Sequence, residues 1–294
     1  MLLHFIGMSQ SDTVSIMYYN ILNFPGGFPE RIANFRTVMQ YTKPDLILIT
    51  ELISDAGANT LLNEGLNVYG ETKYQKAPFI DGEDTDNMLF YNSDMFTLLS
   101  TDTIDTELRA IGEYILCYNI PEPNTTQDTV FLNLYVTHLK SSSGSSNEEQ
   151  RLREVMRFKQ HIESKPNIEN LFFGGDLNLY SAGEPAYDAL ITQGQYPLTD
   201  VLPAANWHDN AAYAAIHTQS PRTVQFGGGA NGGLDDRFDF ILFSSDVLSG
   251  SNDLTYIENT YAAIGNDGQH FNKSLLDTPT NNTLPESVVQ AIYY

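Results

Sequence analysis

The chain has 294 residues, with 15 Lys and Arg against 37 Asp and Glu, a formal charge of -22, 18% charged residues and 41% hydrophobic ones. Such a balance leaves no basic stripe for neutralising phosphates along a duplex, which excludes tight non-specific nucleic-acid binding by counterion release. It also excludes disorder as the default, since a chain of this size can bury roughly 75% of its unfolded surface, and no run approaches the roughly 18 apolar residues of a membrane span.

Residues 1–8 (MLLHFIGM) precede a polar stretch and are read either as the remnant of an export leader, ending by residue 12, or as a frayed terminus. A leader would place the protein outside the cytoplasm, secreted or periplasmic; otherwise it is cytoplasmic. Residues 14–19 predict a first strand and residues 30–41 a helix, with Ile32, Phe35 and Met39 at helical spacing and Lys43-Pro44 as its stop. Residues 45–50 (DLILIT) are too continuously apolar to have a solvent face and predict a buried strand, followed by a helix over 56–66. Further strands are expected at 88–91, 114–119, 130–137, 170–173 and 238–243, with helices at 148–163 and 186–192 and a last helix from Pro285. Gly227 to Gly233 (GGGANGG) reads as a surface loop without phosphate-loop spacing, the acidic run 81–86 (DGEDTD) as a solvated loop, and no linker divides the chain. The lone Cys117 cannot form an intrachain disulfide.

Polar residues on these strands carry the functional signal. Glu51, His138, Asp176 and Asn178 each follow an apolar run directly, and Asp239 is read as embedded in one (RFDFILF). An unpartnered buried carboxylate costs several kcal/mol, and strand ends converging on a crevice are where layered α/β proteins bind ligands. Any one of the five can be a cap or a turn former; the five together point to a site.

The same residues lie in motifs that resemble, in order, those of the endonuclease/exonuclease/phosphatase superfamily, which includes deoxyribonuclease I, apurinic/apyrimidinic endonucleases, neutral sphingomyelinases and inositol polyphosphate phosphatases. Tyr19-Asn20-Ile21 is similar to the first-strand asparagine motif, and Pro44 to Glu51 (PDLILITE) to the strand ending in the metal-binding glutamate. Thr137-His138-Leu139-Lys140-Ser141 resembles the histidine motif, Gly174-Gly175-Asp176-Leu177-Asn178 is the most specific match, and Asp236 to Leu242 resembles the late strand whose aspartate orients a catalytic histidine. The resemblance implies an α/β fold, a four-layer α-β-β-α sandwich with two mixed sheets face to face and helices outside, as a single domain over residues 13–294.

Phosphodiester hydrolysis needs a cation on a phosphoryl oxygen, a positioned water and a proton source for the leaving oxygen. Glu51 is a hard oxygen ligand for Mg²⁺, with Mn²⁺ or Ca²⁺ as alternatives, and Asn20 can assist through its amide oxygen. Asp176 and Asn178, two apart on a segment read as extended, offer an acceptor and a neutral donor to one volume. His138 can hydrogen-bond the phosphate or protonate the leaving group, with Glu113 as its expected partner. One general acid or base supplies roughly 3 to 5 kcal/mol of the 8 to 23 kcal/mol required, so the metal is essential to this chemistry.

The family's closing Ser-Asp-His motif is not in this sequence. Either His270 replaces its histidine, with Asp239 behind it, or the chain stops short of the last strand. Among the other histidines, His4 and His161 are expected at the surface and His208 and His217 in loops that can line the cleft; Arg222 is either a phosphate clamp or half of a surface salt bridge. A metal-dependent phosphodiesterase acting as a monomer heads the functional readings, with nucleic acid, bound transiently, the first substrate considered. Sphingomyelinase-like lipid hydrolysis, sugar or inositol phosphatase activity, and a binding module that has lost its base are the alternatives.

Overall fold

The computed structural model describes residues 12–119 and 129–294. The leader reading and His4 therefore lie outside the described residues, apart from residue 12. Two strand–helix–strand units set the architecture. In the first, β1 (Ile16–Phe24) leads through a short 3-10 turn into α1 (Ile32–Thr42) and returns as β2 (Leu46–Leu52), parallel to β1. In the second, β7 (Phe131–His138) leads through α3 (Ser145–Glu163) to β8 (Leu171–Asp176), again parallel. Parallel neighbours require such crossovers, and the helix goes to the outer face of the sheet.

β1 and β2 join β3 (Tyr74–Lys76) and β4 (Asp86–Asn92) in a four-stranded sheet of order β1-β2-β4-β3. The second pair joins β5 (Phe96–Ile104), β6 (Ile111–Tyr118), β9 (Leu198–Thr199) and β10 (Asp239–Ser244) in a six-stranded sheet of order β5-β6-β7-β8-β10-β9. The sheets pack face to face around Leu46, Leu48, Phe90, Leu116 and Leu134, all buried. Polar links cross between them, from the Tyr18 hydroxyl to the Tyr135 carbonyl at 2.6 Å and from the Asn87 amide to the Val136 carbonyl at 3.1 Å. A second core lies between the six-stranded sheet and α3 with α4 (Pro185–Thr192), built on Val155, Phe158, Phe173, Leu190 and Phe240. On the far side α1 packs beside α5 (Glu286–Tyr293). The result is the expected four-layer sandwich.

The helices and long strands fall where periodicity places them, and the differences have physical causes. α1 ends as Lys43 turns left-handed (φ 47°) ahead of Pro44. The helix expected over 56–66 is split into α2 (Asp55–Thr60), capped by the Ser54 hydroxyl accepting from the Gly57 N–H, and one π-helical turn, Leu61–Leu66. β5 has no counterpart in the expectation because it is an edge strand in which only the two end residues, Phe96 and Ile104, are buried and Thr, Ser and Asp interrupt any apolar run. Asp239 is not embedded in its strand: it is the first residue of β10, directly opposite Asp176 on β8. The acidic run is exposed from Asp81 to Glu83, as expected, but Asp86 begins β4 and is buried.

Candidate metal centre

Strand direction brings the site together. β1, β2, β7 and β8 all end on one side of the molecule, and β10 starts there, so Asn20, Glu51, His138, Asp176 and Asp239 arrive at one edge of the two sheets. Local backbone then aims them. The register of β1 against β2 slips after Asn20, and in that irregularity Glu51 takes a left-handed φ of 62° that turns its side chain toward the other sheet's acids. A non-glycine residue held there carries local strain of the kind that persists at functional sites.

Two glycines allow Asp176 its place. A Cβ on Gly174 would lie 2.1 Å from the Phe240 carbonyl oxygen, and one on Gly175, whose φ is +123°, 2.1 Å from that of Thr137. The Gly-Gly pair thus lets β8 fit between β7 and β10 just before the carboxylate. Asn178 lies beyond the strand, at φ 51°, a conformation asparagine tolerates better than most residues. It is not on an extended continuation of β8 as expected, yet it still lines the cavity; its side-chain amide donates to the Leu139 carbonyl at 3.1 Å and its N–H to Asp176 Oδ1 at 3.2 Å.

One ligand atom each from Glu51, His138 and Asp176 lies within 4.8 Å of the others. His138 Nδ1 is 3.8 Å from Glu51 Oε1 and Nε2 is 3.9 Å from Asp176 Oδ2, too long for hydrogen bonds, and Nδ1 is buried without a partner. Burial, together with the charges of Asp239 and Glu51, raises the Asp176 carboxyl well above its ordinary range, and burial with the Glu51 charge pushes Asp239 up to about 6. Burial and the nearby Arg109 push His138 down to about 3. Two crowded carboxylates and an orphaned, neutral imidazole nitrogen fit a divalent cation.

Asn20 behaves differently from the expectation. Its amide nitrogen donates to Glu51 Oε1 at 2.7 Å and Asp176 Oδ2 at 3.1 Å, while its oxygen accepts from the Leu22 N–H at 2.9 Å. It therefore holds the two acids from separate sheets in register, while its oxygen accepts a backbone hydrogen bond. Glu113 is not the partner of His138. It lies on β6, where its carboxylate is 2.6 Å from His161 Nε2 and pairs with Lys165, so His161 is tied into a hydrogen bond rather than free at the surface.

His270 does not replace the missing histidine. It is buried, with Nδ1 2.7 Å from Asp267 Oδ1 and Nε2 3.1 Å from the Asp277 carbonyl, so both ring nitrogens are engaged away from Asp239. Among the described residues Asp239 has no cation within 4.0 Å; Thr218 bonds it instead. His217 does line the cleft, but its nitrogens face the Trp207 carbonyl at 2.8 Å and that of Leu234 at 3.3 Å. His208 is paired with Asp236 at 2.7 Å. Arg222 lines the cavity yet is neither a free clamp nor a salt bridge: it lies over the Phe226 ring and donates to the Tyr293 carbonyl at 2.5 Å.

The cavity above these residues measures about 1160 Å³ and continues along the edge of β1, which pairs only with β2 among the described residues. Its wall includes Arg109, which no sequence motif marks. That side chain is pinned by Asp84 at 2.8 Å, approaches the His138 carbonyl at 3.4 Å and keeps Nε buried without a partner. Gln219, whose amide reaches Asp176 Oδ2 at 3.4 Å, and Thr218 were equally invisible in sequence. The only signal for Arg109 is scarcity, in that a chain with 15 cations places two of them, Arg109 and Arg222, in the wall of this cleft.

The sequence over residues 17–254 matches the Endonuclease/Exonuclease/phosphatase family. The chain belongs to that family. Among solved structures, a humanized TDP2 of D. rerio carrying 14 mutations is similar with a TM-score of 0.54 at 18% identity, covering 79% of this chain and 83% of that one. The human nocturnin catalytic domain, with bound sulfate, gives 0.52 at 15% identity over 80% and 83%. A beta hairpin deletion mutant of beta toxin from Staphylococcus aureus gives 0.53 at 12% identity over 80% and 88%. At these identities the likeness establishes the fold and says nothing of substrate. No curated protein sequence matches the chain. Members of the family are metal-dependent phosphoesterases, and the Glu51–His138–Asp176 cluster is where this member can hold its ion.

Proposed function

We propose that the protein hydrolyses a phosphodiester with a divalent cation, Mg²⁺ or Mn²⁺, held by Glu51 and Asp176 with His138 beside them. The observation that carries this reading is the meeting of three ligand atoms within 4.8 Å, from the half-buried Glu51 and the buried His138 and Asp176, on strands from both sheets, at the floor of a large cavity. When bound, the ion polarises a phosphoryl oxygen and offsets the charge that repels a nucleophile. The chain's own groups supply the rest. Asn20 fixes the spacing of Glu51 and Asp176 through its two donated hydrogen bonds. Asp176 accepts from a water, Asn178 borders the phosphoryl position, and His138 faces it from the end of the neighbouring parallel strand. Asp239 closes the acidic wall from β10 opposite Asp176.

Hydrolysis of bis(p-nitrophenyl) phosphate tests this directly. Activity is expected with Mg²⁺ or Mn²⁺, absent in excess EDTA, and lowered about a hundred- to ten-thousand-fold in Asp176→Asn and His138→Ala. Full turnover in EDTA, or unchanged turnover in Asp176→Asn, overturns the reading.

A further inference from the structure

Strand register fixes which loops surround the site. β1 and β2 end there, β4 begins opposite Leu52, β6 begins beside the end of β7, and β10 begins opposite Asp176. Loops 25–31, 53–54, 77–85, 105–110 and 219–238 therefore all leave the same end of the sandwich as Glu51, His138 and Asp176. Five large apolar side chains stand exposed on them: Phe28, Ile53, Ile80, Leu108 and Val224, from 36% to 60% accessible. Each comes from a different loop, and Phe28 rests on Phe226 with ring centroids 4.6 Å apart. Exposed apolar side chains converging from separate loops on one rim mark an interaction face.

Charge identifies what that face meets. Glu30, Asp81, Glu83 and Asp105 are exposed on the same loops with no ion-pair partner among the described residues, whereas Asp55 and Glu107 are paired with Lys76 and Arg153. The cations there are already engaged: Arg31 donates to the Ile21 and Leu22 carbonyls at 2.9 and 2.7 Å, and Arg109 pairs with Asp84 at 2.8 Å. An acidic rim repels a nucleic-acid backbone and an anionic membrane alike. It suits a surface whose outermost charge is positive and whose interior is apolar, which describes a bilayer of zwitterionic lipids.

We propose that this rim docks the protein on a zwitterionic lipid surface and that the site's substrate is the phosphodiester of such a lipid, with a cationic headgroup. This rests on the phosphodiesterase reading above. Water adds across one P–O ester bond: its oxygen stays on phosphorus, its proton goes to the departing oxygen, and the products are an alcohol and a phosphate monoester. The apolar side chains enter the interface while the carboxylates face the headgroup cations, which places the metal site against the phosphate layer.

The test uses the full chain with Mg²⁺ and vesicles of phosphatidylcholine and sphingomyelin, beside vesicles of phosphatidylglycerol. Cosedimentation with the zwitterionic vesicles, weak binding to the anionic ones, and headgroup-phosphate release from the former are expected. The double variant Ile80→Ser, Leu108→Ser is expected to lose roughly a hundredfold in vesicle binding, about tenfold per side chain. Its hydrolysis of bis(p-nitrophenyl) phosphate is expected to stay at the wild-type rate. No vesicle binding, binding unaffected by the double variant, or plasmid nicking that outpaces lipid cleavage overturns the docking proposal. Loss of bis(p-nitrophenyl) phosphate hydrolysis in the wild type is instead the failure of the phosphodiesterase reading.

Discussion

Replacing Asp176 with Asn is expected to make the metal-free protein more stable while removing its response to metal. Glu51 and Asp176 offer oxygens within 4.8 Å of each other, and both residues are largely or wholly buried. At an effective dielectric near 20, two unit charges at that separation repel by about 3 kcal/mol. The raised proton affinity of the buried Asp176 carboxyl offsets a share of this repulsion, leaving about 1 to 2 kcal/mol to be gained from a neutral amide of the same shape. The wild type recovers its deficit by binding the ion, and a ligand at a hundred times its dissociation constant contributes about 2.7 kcal/mol. Thermal unfolding at pH 7 in EDTA and in saturating Mg²⁺ or Mn²⁺ reads both effects. The variant should melt a few degrees above the wild type in EDTA and below it with metal. A wild type whose melting temperature ignores metal, or a variant that responds to metal as fully as the wild type, refutes the assignment of this cluster.

Four further expectations concern other parts of the molecule. Gly175→Ala forces a side chain onto the Thr137 carbonyl at a φ of +123° and should cost several kcal/mol or prevent folding, read by expression and denaturant titration. Arg151 is fully buried, pairs with Glu184 at 2.8 Å and donates to the Lys140 and Ser142 carbonyls, so Arg151→Met should destabilise by about 3 to 5 kcal/mol and loosen the segment after His138, measured by urea unfolding and hydrogen exchange. Burial pushes Asp86 up to about 6, so the native state holds its proton more tightly than the unfolded chain and stability falls as pH rises through that range. Asp86→Asn should therefore be more stable than the wild type by up to about 3 kcal/mol at pH 7 and indistinguishable from it below pH 4, in parallel melts. Burial lowers Lys159 to about 8, so the unfolded state binds more protons between pH 8 and roughly 10.5 and stability gains there with rising pH; Lys159→Met should flatten that part of the stability profile relative to the wild type.

Periodicity and continuous apolar runs determined most of the fold, because β2, β7 and β8 are buried on both faces and, apart from Asn133, whose amide is satisfied by the Glu169 carbonyl, keep their strongly polar residues at their ends. For the same reason the candidate acids could be read directly: Glu51, His138 and Asp176 interrupt or end runs where nothing polar belongs without a function. β5 could not be read, since an edge strand under little burial has no constraint on composition. Nor could pairings between distant residues. Glu113 faces α3 rather than the cleft because its strand's side chains alternate between faces, and sequence order does not say which face is which. His270 looked available as a base and is held by Asp267, and Arg109 looked ordinary and lines the site. The left-handed turn at Glu51 and the amide of Asn20 bridging two sheets arise only when β1, β2 and β8 are packed. The sequence by itself thus determined which residues were chemically out of place and how the layers alternate. Only the tertiary structure decided which of them face one another, because hydrogen bonds and Coulomb interactions act over a few ångströms and chain separation carries no such distance.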